Sequence, residues 1–285
     1  MNHEHAAVLS TDTVKGNDRI RRALDALAWP LKNRYGLYVL SIVLFLLVWD
    51  LCALYDILGK FLPRPHTVIE QIWVLMFKKL ASKTLFQHLW ASLSRVLIGW
   101  AIAVAIAVPL GVFMGLNRYV NAIVKPVFDL LKPMPPISWI SLSILWFGMG
   151  ETSKIFIIAI GSFVPCILNA YNGIRLIDPA LYDAARMLGA NRRQQILEVG
   201  FFASVPAIFA GLQISLSIAW TCVLAAELVG ARSGMGFIVI LGMNLCKPPM
   251  IIAGMAVIAL TAWGLSVLMT YLEKLICPWK REMPN

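Results

Sequence analysis

A chain of 285 residues in which 59% are hydrophobic and only 14% are charged cannot clothe a soluble surface in polar groups. The surplus apolar side chains must face lipid, which excludes a soluble globular domain. The net charge of +10 would suit nucleic acid, but the basic residues flank apolar runs instead of forming one stripe, the pattern of a bilayer-oriented protein, so no nucleic-acid partner is expected.

Residues 1–34 are polar and charged, too long for the leading region of a signal peptide, and no small-residue cleavage site follows Tyr55. They read as a retained cytoplasmic tail. Against a ruler of about 20 predominantly apolar residues per span, six spans are predicted, roughly 37–55, 90–116, 127–147, 155–171, 204–228 and 250–272. The third is weak, interrupted by Lys132, Pro133, Pro135 and Pro136. Between the first two, residues 67–83 carry Val68, Ile72, Leu75, Met76 and Lys79 at near-helical spacing. That stretch is expected to be an external amphipathic helix lying in the membrane interface. The domain plan is a cytoplasmic tail 1–34, a first span with the amphipathic segment over 35–85, an all-α transmembrane domain over 86–273 and a cytoplasmic tail over 274–285.

Orientation follows from Lys and Arg. With the N-terminus inside, the inner segments hold six in the tail, three in 118–132, four in 175–193 and three after 272, leaving nine outside. Both termini are therefore expected in the cytoplasm. Pro109 and Pro165 are expected to kink or shorten their helices. Five cysteines, Cys52, Cys166, Cys222, Cys246 and Cys277, lie far apart with no CxxC and no metal-ligand spacing. They read as small buried hydrophobes, with neither a disulfide framework nor a metal site.

The longest polar interruption, 172–200, is built like two short helices meeting at a bend. Asp178 is a good N-cap and Pro179 a good first helical residue, and LYDAARML is helical by propensity. Gly189 can stop that helix in the left-handed conformation, and Asn191 can cap the next, which begins RRQQILEV. The result is a basic helical elbow on the cytoplasmic side.

The order Asp183, Ala184, Ala185, then Gly189, then Val199, Phe201 and Phe202 resembles the cytoplasmic loop of binding-protein-dependent ABC importer permeases. That loop reads EAA, three residues, Gly, and later an apolar-x-Leu-Pro. Asp183 stands for the usual Glu and Phe202 for the usual Pro, while Pro206 matches a second proline common there. The resemblance runs over about 61–280. FLPRPHTV, QHLWASLSRVLIGW, KPMPPISWISLSILWFGMGETSKI, AAELVGARSGMGF and CPWK look like the nitrate, sulfonate, taurine and bicarbonate branch. WFGMGETSKI and AAEL look closest to taurine or alkanesulfonate permeases.

The resemblance implies a type I ABC importer transmembrane fold whose elbow docks in a groove of an ABC ATPase subunit. Asp183, Ala184, Ala185, Arg186, Gly189, Arg192 and Arg193 would be the coupling residues. Small residues allow close approach, and the arginines can meet acidic groups. It also implies a second copy of the permease forming a homodimer, a periplasmic or lipid-anchored solute-binding protein, and the bacterial inner membrane with its lipid as setting. No cofactor would be bound by this chain, and ATP would be used by the partner subunit. In keeping with that, there is no GxxxxGK[ST] phosphate loop and no HExxH, GxSxG or carboxylate dyad, so no catalytic residue is assigned.

A solute path needs polar groups at membrane depth. Ser138, Asn169, Gln213, Ser217, Thr221, Glu227 and Arg232 are the candidates, Glu227 and Arg232 bracketing the outer end of the fifth span. A Ser or Thr in a span often bonds only its own helix. An ATPase-independent secondary transporter or channel is the alternative class; it would call for internal repeats and membrane-centre charges, and neither is evident.

Overall fold

A computed structural model describes residues 34–279 apart from 58 and 60. The expected N-terminal tail, save its last residue, and residues 280–285 of the expected C-terminal tail lie outside the described residues. The described residues divide into two compact units, 34–67 and 68–279.

In the first unit, helix α1 (Arg34–Leu54) is a run of Leu, Val, Ile and Phe. Over 37–48 its side chains are exposed on every side, as expected of a span that meets lipid, while near its end Ala53 is buried and Cys52 half-buried. The Trp49 indole N–H donates to the Pro63 carbonyl at 3.1 Å. Helix α2 (Pro65–Phe77) runs across the boundary at 67/68; it starts with Pro at its first position, and the Thr67 hydroxyl donates to the Arg64 carbonyl at 2.8 Å.

The predicted amphipathic helix stops earlier than 83. Ala81 and Ser82 take positive φ values of 45° and 69°, closing a tight turn in which Leu80 and Lys83 exchange backbone hydrogen bonds of 2.8 and 2.9 Å. Thirteen residues rise only about 20 Å, short of a bilayer core of about 30 Å.

In the second unit, α3 (Leu85–Leu116) opens with a capping box between Thr84 and Gln87. After it come α4 (Arg118–Leu131), a 3₁₀ turn (Pro136–Ser138), α5 (Trp139–Phe147), α6 (Glu151–Arg175) and α7 (Pro179–Met187). The long helix α8 (Arg192–Leu228), the short α9 (Met235–Asn244) and α10 (Pro248–Ile276) complete it.

Helix α6 is the centre, with α3 and α8 packed along it and α9 packed on α10. Glycine permits the close approach. A methyl group added at Gly99, Gly111 or Gly115 of α3 would lie 2.7 Å from Ile158 Cγ2, 2.7 Å from the Ile167 carbonyl or 2.6 Å from Ile174 Cβ. On the other side, Gly211 of α8 sits against Asn169, 2.6 Å from where its own methyl would be. Small residues let helix backbones meet where lipid supplies no hydrophobic drive.

Among the described residues, α1, α3, α6, α8 and α10 are long and apolar enough to cross a membrane, and they account for five of the six predicted spans. The third is broken. Pro133, Pro135 and Pro136 cannot donate, and each disfavours helical backbone in the residue before it, so α4 ends at Leu131 and α5 begins only at Trp139. Pro109 and Pro165 do not shorten their helices; both lie inside continuous α3 and α6. Cys166, Cys222 and Cys277 are buried as expected and Cys52 is half-buried, but Cys246 is exposed in the turn after α9, at φ 49°.

Candidate functional site

Three features merit description: the elbow, a large cavity, and a buried ionic cluster.

The elbow is built as its residues dictate. Asp178 accepts the Ala180 N–H at 2.9 Å, and Pro179 follows at the first helical position. At the far end Gly189 takes φ +82°. The Ala190 N–H reaches the Ala185 carbonyl at 3.0 Å and the Gly189 N–H the Arg186 carbonyl at 2.9 Å, which together make a Schellman stop. Asn191 and Gln194 form a reciprocal capping box, with both bonds at 2.9 Å. The second short helix is not separate: it runs through a wide π-helical stretch (Gln195–Gly200) straight into Phe201–Leu228. A push on the elbow is thus a push on the base of a long helix. Tyr182 fixes the two arms together, its hydroxyl 2.8 Å from where a methyl on Gly200 would be, and that burial pushes the Tyr182 phenol up.

Asp183, Ala184, Arg186, Gly189, Arg192 and Arg193 are exposed, but Ala185 is buried within the chain. It therefore packs the elbow itself and cannot approach an outside surface. Arg186 and Asp183 form an exposed pair at 3.3 Å, worth about 1 kcal/mol at most. Sequence reasoning missed the tip: Met187 and Leu188 are each 89% exposed.

The cavity, about 890 Å³, lies among α3, the 131–139 stretch, α6 and α8. Ile106, Trp139, Phe156 and Ile218 make it largely apolar, and Lys132 is the charged residue in its lining. Of the seven predicted path residues, Asn169 alone lines it, its amide donating back to the Pro165 carbonyl at 2.9 Å. Ser138 lines a smaller hollow with Met134, Pro135 and Trp139, adjoining the large cavity that Met134 and Trp139 also line. Gln213 donates to Glu273 at 3.1 Å. Ser217 and Thr221 donate to their own helix at 3.2 and 3.4 Å. Arg232 is exposed, and Glu227 is wholly buried. These seven are not brought to one place.

Glu227 instead anchors the ionic cluster. It lies one residue before the end of α8, and its carboxylate accepts from Arg95 Nη1 at 2.6 Å, from the Ser92 hydroxyl, and from the Gly236 N–H at 2.8 Å. Arg95 Nη1 also donates to the Ser233 carbonyl at 2.8 Å. Its other edge holds Glu151, through Nε and through Nη2, the latter at 2.8 Å. Lys154 reaches the same Glu151 at 3.2 Å.

The first N–H groups of α9 would be orphans at a helix start, and side chains of other helices take them up. Gly234 N–H meets His88 Nδ1 at 3.1 Å, Met235 N–H meets the Ser92 hydroxyl at 2.8 Å, and Gly236 N–H meets Glu227. His88 Nε2 donates to the Leu80 carbonyl at 3.0 Å, so its proton sits on Nε2 and Nδ1 is free to accept. At Gly234, with φ +125°, a methyl group would overlap the Glu227 carboxylate, so there is no room for a side chain.

Sequence reasoning found Glu227 and missed Arg95, His88, Ser92 and Glu151. A signal existed. His88, Ser92 and Arg95 follow one another at i, i+4 and i+7, a polar stripe on one face of an apolar helix.

The sequence profile described as "Binding-protein-dependent transport system inner membrane component" matches residues 107–282. The chain is 34% identical over 257 residues to the Taurine transport system permease protein TauC of Escherichia coli (strain K12), covering 90% of this chain and 94% of that protein. It is 31% identical to the Putative aliphatic sulfonates transport permease protein SsuC of Bacillus subtilis (strain 168), over 89% and 91%. It is 26% identical to the Nitrate import permease protein NrtB of Synechocystis sp., over 93% and 97%. Among solved structures, an inward-facing MetNI methionine ABC transporter aligns with TM-score 0.56 at 16% identity, over 66% of this chain and 93% of that chain. That likeness concerns fold alone. The chain belongs to the binding-protein-dependent transport system inner membrane components, as a multi-pass ABC importer permease of largely helical fold and not an enzyme.

Proposed function

We propose that this permease carries a small oxyanion, an organic sulfonate such as taurine or an alkanesulfonate, and is driven by an ABC ATPase that docks on the elbow at 178–200. The observation that carries the coupling is the elbow itself: a capped, rigid turn with an exposed apolar tip, Met187 and Leu188, continuous with helix α8. An exposed apolar knob rimmed by Arg186, Arg192 and Arg193 suits a partner groove with an apolar floor and acidic edges. The sulfonate assignment is supported by the TauC and SsuC relatives and by the apolar cavity, which suits a solute with a hydrocarbon portion better than bare nitrate.

The working assembly is a homodimer of permeases with two ATPases and an external solute-binding protein, in the inner membrane. ATP is consumed by the partner and no cofactor is held by this chain. The test is uptake into proteoliposomes: labelled taurine should enter only when ATPase, ATP and binding protein are all present. Uptake without ATPase would replace the reading with a secondary transporter.

The Lys/Arg balance supports a cytoplasmic location for the tails 1–34 and 274–285. A reporter active only outside the cytoplasm should be silent when fused after Arg193 and active near Ser233. The reverse pattern would invert the topology.

Arg186→Glu tests the electrostatic share of docking. It sets a second negative charge one turn from Asp183, and like charges at a docked interface cost several kcal/mol. Co-purification of the ATPase at low salt should fall while the permease stays in the membrane. Undiminished co-purification would leave docking to the Met187 and Leu188 tip alone.

A further inference from the structure

Within the ionic cluster the two carboxylates are held very differently. Glu227 is fully buried and bound by Ser92 and the Gly236 N–H as well as by Arg95. Its charge alone balances Arg95. Glu151 is held by Arg95 and Lys154, and its side chain is 59% exposed while those of Arg95 and Lys154 are 5% and 7% exposed. It is the first residue of α6, preceded by Gly150 and by Gly148 at φ +73°, so its carboxylate can leave by side-chain rotation into the solvent beside it. The carboxylate bridges the Nε and Nη2 edge of Arg95 in a two-pronged fork with the Lys154 ammonium alongside. A sulfonate, nitrate or carboxylate ligand fills such a fork equally well.

Arg95 would not collapse if Glu151 left. Its Nη1 remains tied to Glu227 and to the Ser233 carbonyl, and Lys154 stands one turn after Glu151 on α6. The anchored Arg95 guanidinium, the Lys154 ammonium and the Ser233 hydroxyl, 3.2 Å from Nη2, would then face the solvent that Glu151 now meets.

We propose that Arg95 and Lys154 form a binding site for a small oxyanion, closed in this conformation by the Glu151 carboxylate, which occupies the position the anion takes. The ligand class rests on the oxyanion-import reading above. Glu151 acts as a built-in competitor: it neutralises the site when no anion is present and yields when one arrives.

The test uses full-length permease purified in detergent, without ATPase, and follows thermal unfolding against ethanesulfonate, nitrate and chloride at constant ionic strength. A site open only part of the time binds with its affinity reduced by that fraction, so Glu151→Gln should lower the ethanesulfonate midpoint about tenfold relative to wild type. Lys154→Gln added to Glu151→Gln should abolish that gain. Glu151→Ala should be less stable than wild type and regain stability with ethanesulfonate but not with chloride at matched concentration.

A purely structural Glu151 predicts lost stability that no anion restores, and that result would overturn the site. Equal rescue by chloride and ethanesulfonate would overturn it too, as general screening. Nitrate rescuing where ethanesulfonate does not would keep the site and sink the sulfonate assignment. Since no step involves ATP or uptake, failure of the coupled-importer reading would show separately, in the proteoliposomes.

Discussion

Uptake by a transporter carrying Gly189→Val is expected to fall roughly 5- to 30-fold, because one to two kcal/mol of strain depopulates the intact elbow by about that factor. Gly189 sits at φ +82° as the stop of α7, with nothing within 4 Å of where a side chain would project. No clash is available to explain a defect, so the effect is one of backbone alone, largest for a β-branched residue. Relief requires giving up the hydrogen bonds from Gly189 and Ala190 back to Arg186 and Ala185, which would misdirect Asn191 and the base of α8. The measurement is ATP-driven taurine uptake at matched membrane content. Gly189→Asn is the control, since Asn tolerates the left-handed region, and it should retain most activity. Full uptake by a well-inserted Gly189→Val protein would remove the elbow from the coupling path.

The elbow was readable because its signals are local. Asp178, Pro179, Gly189 and Asn191 each act within a few residues of themselves, and each stands where its chemistry predicts. The long spans were equally plain, since length and apolarity need no knowledge of neighbours. The third span failed on its own prolines: counting apolar residues over 127–147 outweighed what Pro133, Pro135 and Pro136 do to backbone hydrogen bonding. What the sequence concealed is what helices do to one another. Ser217 and Thr221 looked like path residues but turn their hydroxyls to their own helix. Ala185 belongs to a small-residue motif and yet is consumed inside the elbow. Arg95, Glu151 and Glu227 stand 56 and 76 positions apart, and only the packing of α3, α6 and α8 makes them one cluster.

That cluster carries the largest stability effect. Replacing Glu227 by Leu is expected to destabilise the fold by about 3–5 kcal/mol, the usual loss when one partner of a buried ion pair is removed. Arg95 would lose its buried counter-ion, and the Gly236 N–H and Ser92 hydroxyl would lose their acceptor, in a pocket where Glu227 itself has no exposed surface. The α9 start would then fray, since Glu227 is one of three side chains that satisfy it. Glu227→Gln keeps shape and one acceptor oxygen, so it should lie between Leu and wild type. The discriminating variant is the double replacement Arg95→Met with Glu227→Leu, which removes both charges together. If the penalty is mainly an uncompensated charge, the double variant should be more stable than Glu227→Leu alone, a coupling of about 0.5–3 kcal/mol by a double-mutant cycle. Unfolding of purified protein in one detergent measures wild type, Glu227→Gln, the two single variants Glu227→Leu and Arg95→Met, and the double variant. Strictly additive losses would mean that Arg95 and Glu227 are not energetically paired, and that the hydrogen bonds to α9 are what hold this end of the bundle.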